Sequence, residues 1–489
     1  MPFPGDDQGS TIYSALSGLE SSAEELIAKA SEASSSLTGT SQPASGIDDG
    51  SQSNGTSPGD AKSRGPVPHR WVIVGAMALA FVLCNMDKVN MSVAVIPMAA
   101  DLGWSPSDRG LVSSAFFWGY SLTQIPAGWV STRIGGAKVL MAGVVLWSLG
   151  TLVAPPAAKI SLLALCASRV FVGLGEGLAP SSATNIMARL VPEKERARAV
   201  TAVFGSLDVG SAVGLLVCGP LIHAFGWPSV FYLFAALGLV WSAAWPLLKP
   251  EERDPDVPAP PPSSSPSVSD KAVPWGVFLR SRPVWAIIVA HFAYNWGYYT
   301  LLAWLPSYFE LSLGLNVESS SLLTLIPYLA MTAMTPFVGP VADGLVSKGW
   351  SVTNVRKLAQ GVAFAGPAVC MVACALLTPA GAAHAPASSP TTLIVALFSA
   401  AFAMGAWARA GLYCNHQDLS PEYAGALLGL SNTAGALPGI LGVTSVGFLL
   451  DKTQSWGASL FYPTAICQVV GLIVYTTFAS SKRQSWATD

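Results

Sequence analysis

Charge is what this sequence has least of. Only 11% of its 489 residues are Asp, Glu, Lys or Arg, against about 25% in an ordinary soluble domain. With 51% hydrophobic residues and a mean hydropathy of +0.48, the chain cannot cover soluble domains with polar surface. Water is therefore excluded as the solvent for most of it. A basic excess is also missing: 26 Lys and Arg stand against 28 Asp and Glu, so no partnership with nucleic acid is expected. The seven cysteines lie inside apolar stretches without CxxC spacing, which argues against a disulfide framework or a zinc site. No HExxH, GxSxG or Walker-type string occurs, so enzyme chemistry, a cofactor and a bound metal are not expected.

Long apolar runs are abundant. An α-helix needs about 20 mostly apolar residues to cross the hydrocarbon of a bilayer. Six such segments run over 71–98, 109–131, 137–155, 160–190, 196–222 and 227–248. Six more run over 283–311, 317–345, 355–378, 392–416, 423–450 and 457–480. Between the two sets, 249–282 is dominated by Pro and Ser and reads as an extended linker. Residues 1–66 carry nine acidic residues against Lys29, Lys62 and Arg64, and read as a disordered, acidic, Ser-rich tail. That acidity argues against a standard organelle transit peptide. The expected architecture is all-α: an N-terminal six-helix bundle (67–248), the linker, a C-terminal bundle (283–482) and a short tail (483–489).

The distribution of basic residues tests the count. With the N-terminus in the cytosol, nineteen Lys and Arg near the spans fall on the inside, and only Arg109, Lys159 and Lys452 fall outside. One miscounted span would invert every later loop and destroy that asymmetry. The halves also echo each other. Gly128-Trp-Val-Ser-Thr-Arg133 ends the second span and Gly339-Pro-Val-Ala-Asp343 the eighth. Gly210-xxx-Gly214 in the fifth span is matched by Gly435-xxx-Gly439 in the eleventh, spacings that let helix backbones approach closely in lipid. Two six-helix repeats joined by a linker imply a major facilitator transporter with its substrate site between the halves.

Charges inside spans are costly and mark function. Lys88 and Arg169 lie about 10 and 9 residues from the outer ends of their spans, hence roughly 14–15 Å deep from the same face. Two cations at one depth form an anion site, unless each merely pairs with Asp87 or Glu176 for packing. Glu176 is two helical turns beyond Arg169, on the same face, and suits a coupling carboxylate or an intrahelical partner for Arg169. Arg409 suits an exit path, and Asp208 has no partner legible in the sequence. His291 and His416 are proton-relay candidates weighed against ordinary buried hydrogen-bonding histidines. The string Gly173-Leu-Gly175-Glu-Gly177 reads as close helix packing, because no strand precedes it.

Several long strings carry a resemblance. They are CNMDKVNMSVAVIPM from Cys84, SSAFFWGYSLTQIPAG from Ser113, SRVFVGLGEG from Ser168, GWPSVFYLF from Gly226, SVTNVRK from Ser351, and GLYCNHQDLSPEYAGALLGLSNTAGALPG from Gly411. Over about 70–480 the chain resembles the anion transporters that include sodium–phosphate cotransporters, sialin and vesicular glutamate transporters, and most of all their plant and algal plastid branch. The resemblance implies transport of inorganic phosphate or an organic anion such as ascorbate, driven by Na⁺ or H⁺, by a monomer in a lipid bilayer. It matches the family's fourth-span arginine and glutamate to Arg169 and Glu176, and its first-span arginine to Lys88. It also matches the histidine of the family's NH[LQ]D string to His416. Where vesicular glutamate transporters carry an arginine in the seventh span, Tyr294 stands here, which disfavours glutamate. Tyr294 and Asn295 are expected as polar lining of the substrate site. Thr132 replaces a frequent aspartate at the end of the second span, so the cytosolic gate is expected to rest on Arg133 and especially Asp343. Both termini are expected on the cytosolic-type side, and the resemblance implies a plastid membrane, with plasma membrane and other endomembranes as alternatives. A non-transporting sensor on the same scaffold is the opposing class.

Overall fold

The computed structural model describes residues 69–250, 275–378, 390–420 and 423–484, and these residues contain no strand. The tail expected over 1–66, the linker residues 251–274 and residues 485–489 lie outside the described residues. Twelve long helices appear in chain order: α1 His69–Leu102, α2 Pro106–Ile134, α3 Gly136–Ile160, α4 Leu162–Leu190, α5 Glu193–Phe225, α6 Pro228–Ala244, α7 Arg282–Leu313, α8 Val317–Ser347, α9 Val352–Leu377, α10 Thr391–Gly405, α11 Ala424–Thr453 and α12 Tyr462–Phe478. Local chemistry sets their ends. Ser105 and Asp108 form a capping box at the start of α2, and Ser161, Asn316 and Ser351 cap α4, α8 and α9 with their side chains. Gly314, in the left-handed region at φ 67°, ends α7.

Ten of these segments are long and apolar enough to cross a membrane. The other two, α2 and α7, match them in length at 29 and 32 residues. They are more polar because Ser, Thr, Tyr, Trp and Asn side chains interrupt their apolar runs, and some of these face the interior described below. Outward-facing apolar side chains such as Ile160 and Leu376 are more than 70% exposed, which suits a lipid surface.

Packing within the halves repeats at an interval of six helices. α1 packs on α5 as α7 does on α11; α2 packs on α4 as α8 does on α10; α3 packs on α6 as α9 does on α12. Between halves, α2 meets α11, α5 meets α8, and α1 meets α7. Small residues make the close crossings possible. A side chain at Gly119 would strike the backbone of Val170, one at Gly173 that of Phe116, and one at Gly175 that of Gly143. The glycine string of α4 is therefore helix packing against α2 and α3. The echoed pairs behave alike only in part: Gly210 and Gly214 lie against α1 and Gly435 against α7, but Gly439 lies against Phe117 of α2.

At the face opposite the α6–α7 connection, the halves are tied together. The Ser107 backbone N–H donates to Asp451 at 2.9 Å and the Ser107 hydroxyl donates to the same carboxylate. Arg109 pairs with Glu310 at 3.4 Å, and the Ser321 hydroxyl donates to the Leu215 carbonyl at 2.5 Å. A side chain added at Gly128 on α2, or at Gly339 or Gly344 on α8, would meet no atom within 4 Å, and neither would one at Gly103 or Gly314 at the other face.

Two local features depart from the sequence expectation. The tenth span is broken: α10 stops at Gly405, a 3₁₀ turn covers Ala406–Arg409, and a short helix Leu412–Leu419 completes it. Side chains of α9 replace the lost helical bonds. Gln360 accepts from the Leu412 N–H at 3.0 Å, and Arg356 donates to the Ala410 carbonyl at 3.1 Å and to Asp418 at 2.7 Å. Within the segment expected to be extended linker, Trp275–Phe278 form one helical turn, anchored by the buried Phe278 ring beside Tyr423.

Candidate functional site

Four of the intramembrane charges of the N-terminal half meet on α1 and α4, which run antiparallel. Side chains on a helix lean toward its N-terminus. Lys88 therefore leans toward the connection face and Glu176 toward the opposite one, and they meet at 3.4 Å. Asp87, one residue earlier and on another face of α1, meets Arg169 at 3.8 Å. It also accepts from the Thr151 hydroxyl on α3 at 2.8 Å and from the Asn90 amide at 2.9 Å. The pairing is thus between helices. Arg169 and Glu176 share a face of α4, yet each takes its partner from α1.

Both ion pairs are longer than a good hydrogen bond. Arg169 is 1% exposed, and its Nε and Nη1 have no hydrogen-bond acceptor; neither oxygen of the buried Glu176 carboxylate accepts a well-aligned hydrogen bond. Donors of a buried guanidinium left unused are an open demand for an acceptor. Lys88 and Arg169 both line a narrow cavity of about 20 Å³, walled by Ser92, Ser113, Phe116 and Phe117 and closed from the other half by Tyr299 of α7. The Lys88 ammonium lies 5.3 and 5.4 Å from the ring centroids of Phe116 and Tyr120, and the Arg169 guanidinium 5.9 Å from that of Phe116. Aromatic faces hold the two cations in place without cancelling their charge.

The remaining expected residues lie elsewhere. Asn295 donates to the Gly435 carbonyl at 2.8 Å and ties α7 to α11. Tyr294 lines a separate cavity of about 40 Å³ inside the C-terminal half, with Tyr298, Met331, Phe402 and Gln468. His416 and His291 share the Ser431 hydroxyl, at 2.8 and 3.1 Å, in a buried network joining α7, α11 and the short helix Leu412–Leu419. Arg133 lies over the Trp129 ring at 4.5 Å, and Asp343 is exposed on α8. Sequence reading missed Thr151, Phe116 and Tyr120. Phe116 and Tyr120 stand four residues apart and share a face of α2, a signal that was available; nothing in the sequence distinguishes Thr151 from other threonines of the spans.

Residues 76–486 match the model of the Major Facilitator Superfamily. The chain belongs to that superfamily. Among curated Major Facilitator relatives, it is 44% identical to "Probable anion transporter 6, chloroplastic" of Arabidopsis thaliana, covering 86% of this chain and 81% of that one. It is 42% identical to the "Sodium-dependent phosphate transport protein 1, chloroplastic" of the same plant, over 85% and 80% of the two chains. It is 40% identical to that plant's "Ascorbate transporter, chloroplastic", over 85% and 76%. The same fold occurs in a bacterial homologue of the human lysosomal transporter Spinster, at a TM-score of 0.67 and 17% identity over 86% of this chain and all of that one. A D-xylose–proton symporter shares it at a TM-score of 0.65 and 16% identity, over 85% and 100%. The apolar helices and this membership make the chain a multi-pass membrane protein of a transporter family.

Proposed function

We propose that this chain carries a small anion across a membrane by alternating access, with inorganic phosphate as substrate. The observation that carries the reading is Arg169: fully buried, with unused donors, and lining with Lys88 a cavity between the halves. A planar guanidinium fork and a compact ammonium suit a tetrahedral oxyanion. Relatives named as anion and phosphate transporters support the same class.

Charge balance argues for a coupling cation. Asp87, Lys88, Arg169 and Glu176 sum to zero when ionised. An anion arriving alone would leave net negative charge in a poorly polarisable interior, which is costly. A proton taken by Glu176 would remove that charge and release Lys88 for the anion; a bound Na⁺ would balance it as well. Asn295 and His416 would contribute from the C-terminal half through their hydrogen bonds to α11, and Tyr294 through its place on α7. The ties between the halves at the face opposite the connection suit a state open toward the connection face, gated there by Arg133 and Asp343. In this reading both termini lie on the cytosolic-type side, the carrier acts as a monomer, and the chloroplastic relatives favour a plastid membrane.

The test is radiolabelled phosphate uptake into proteoliposomes, with Na⁺ and pH gradients imposed separately. Saturable uptake driven by one gradient and lost in Arg169→Ala, with insertion intact, is expected. Full uptake in that variant would refute the anion site. The relative named as an ascorbate transporter supports a second reading: uptake of ascorbate and not phosphate would keep the site and move the substrate to the organic anions.

A further inference from the structure

Two ionised groups outside the charged cavity face each other across the boundary between the halves. Arg409 closes the 3₁₀ turn after α10, and its Nη2 donates to Oδ2 of Asp208 on α5 at 2.6 Å. Asp208 stands midway along α5, and Arg409 stands ten residues before the end of the span Thr391–Leu419. The Arg409 side chain is 38% exposed and that of Asp208 13%. An arginine at that depth, turned inward onto the other half and still more than a third exposed, faces an aqueous space and not lipid. Arg169, by contrast, is sealed.

A row of phenol rings on α7 links the two places. Tyr294 lies against Gly405, at the start of the turn, and edge-on to Tyr413 at 6.2 Å. It stacks on Tyr298 at 6.3 Å, and Tyr298 meets Tyr299 at 5.6 Å. Tyr299 then walls the Lys88–Arg169 cavity. Phenols offer hydrogen bonds to an anion without holding it by charge.

We propose that Arg409 is a second anion-binding contact, which meets the oxyanion on the connection-face side of the charged cavity, and that Asp208 holds its place until the anion arrives. A carboxylate and a phosphate present the same pair of oxygens to a guanidinium fork, so one can be exchanged for the other. The exchange has a structural consequence. Asp208–Arg409 joins α5 to α10, so an anion that takes Arg409 unties the halves at that point, and occupancy is coupled to their rearrangement. The inference rests on the reading of the chain as an anion carrier.

Phosphate uptake by proteoliposomes of the full chain, measured as KM and kcat separately, tests it. Arg409→Gln removes a charged contact and is expected to raise KM about ten- to hundredfold, while Arg409→Lys restores part of that loss. Asp208→Asn removes the competitor and is expected to lower KM. A pair that only held the halves together would shift KM in the same direction on losing either member. It would also recover when Asp208→Arg and Arg409→Asp are combined. Either result overturns the proposal. If Arg409→Gln does not insert, the direction of the Asp208→Asn shift decides alone. Wild-type protein that transports no anion would instead refute the carrier reading, which keeps the two failures apart.

Discussion

In the N-terminal half, α1 and α4 hold Asp87, Lys88, Arg169 and Glu176 against one another in the interior. Their counterparts six helices on, α7 and α10, with the turn and short helix that follow, present Tyr294, Tyr298, Tyr413 and Arg409 instead. The two halves nevertheless pack in the same pairwise order. The C-terminal half is thus an internal control: it builds the same bundle with tyrosines and one cation, Arg409, in place of two ion pairs. The four buried charges are not demanded by the architecture, and a fold does not retain such costly groups in lipid without another use. The repeat supplies two similarly packed walls, and the difference between them gives the cavity a cationic side and a tyrosine side.

The sharpest break of this comparison is Arg169→Ala. It leaves Asp87 buried without its cation, a loss of about 3–5 kcal/mol for a broken buried pair. Phosphate uptake should vanish and thermal unfolding of the purified protein should move down by several degrees. A second break is Glu176→Gln, which mimics the protonated carboxylate. Exchange of phosphate for phosphate should survive while gradient-driven accumulation is lost; counterflow measured beside net uptake distinguishes the two. A third substitution sharpens the comparison: Lys88→Arg keeps the charge and adds a fork, so uptake should persist with KM changed by less than about tenfold.

Changes at the uncharged positions of the C-terminal half should be milder. Asn295→Ala removes one buried hydrogen bond, worth about 1 kcal/mol, and should lower the unfolding temperature by a few degrees with uptake retained. The smallest effect belongs to the bundle's edge. A hydrogen bond from Arg70, at 3.0 Å, holds the Glu195 carboxyl below its ordinary value. Because that value is lowered in the folded chain, the contribution is fully present above the ordinary glutamate range and is lost as pH falls through the lowered one. Arg70→Ala should therefore leave the difference in unfolding temperature between pH 7 and pH 6 unchanged within error, since Glu195 is ionised at both values with or without its partner.

Much of this organisation was legible beforehand, and the parts that were not share a cause. Lys88 and Arg169 announced themselves because a charge in an apolar run has few explanations, and counting residues from the span ends placed them at one depth. Their partners were not legible. The spacing on α4 made an Arg169–Glu176 pair plausible, but antiparallel α1 and the opposite lean of its side chains set Lys88 on Glu176 and Asp87 on Arg169. Asp208 lacked a partner on paper because Arg409 is 201 residues away. Asn295, adjacent to Tyr294 in sequence, turned to α11 because neighbouring residues on a helix face different ways.

By itself the sequence determined the solvent, the twelve-helix repeat and the identity of the groups that lipid cannot tolerate. Those properties depend on composition and on distance along a helix axis, which are local. Only the tertiary structure decided which charge neutralises which, that the cavity between the halves takes its cations from one half and a tyrosine wall from the other, and that Arg409 faces Asp208 across the boundary. Such pairings depend on the rotation and register of helices far apart in the chain, and in a bilayer these are chosen by close packing at small residues rather than by any pattern within one span.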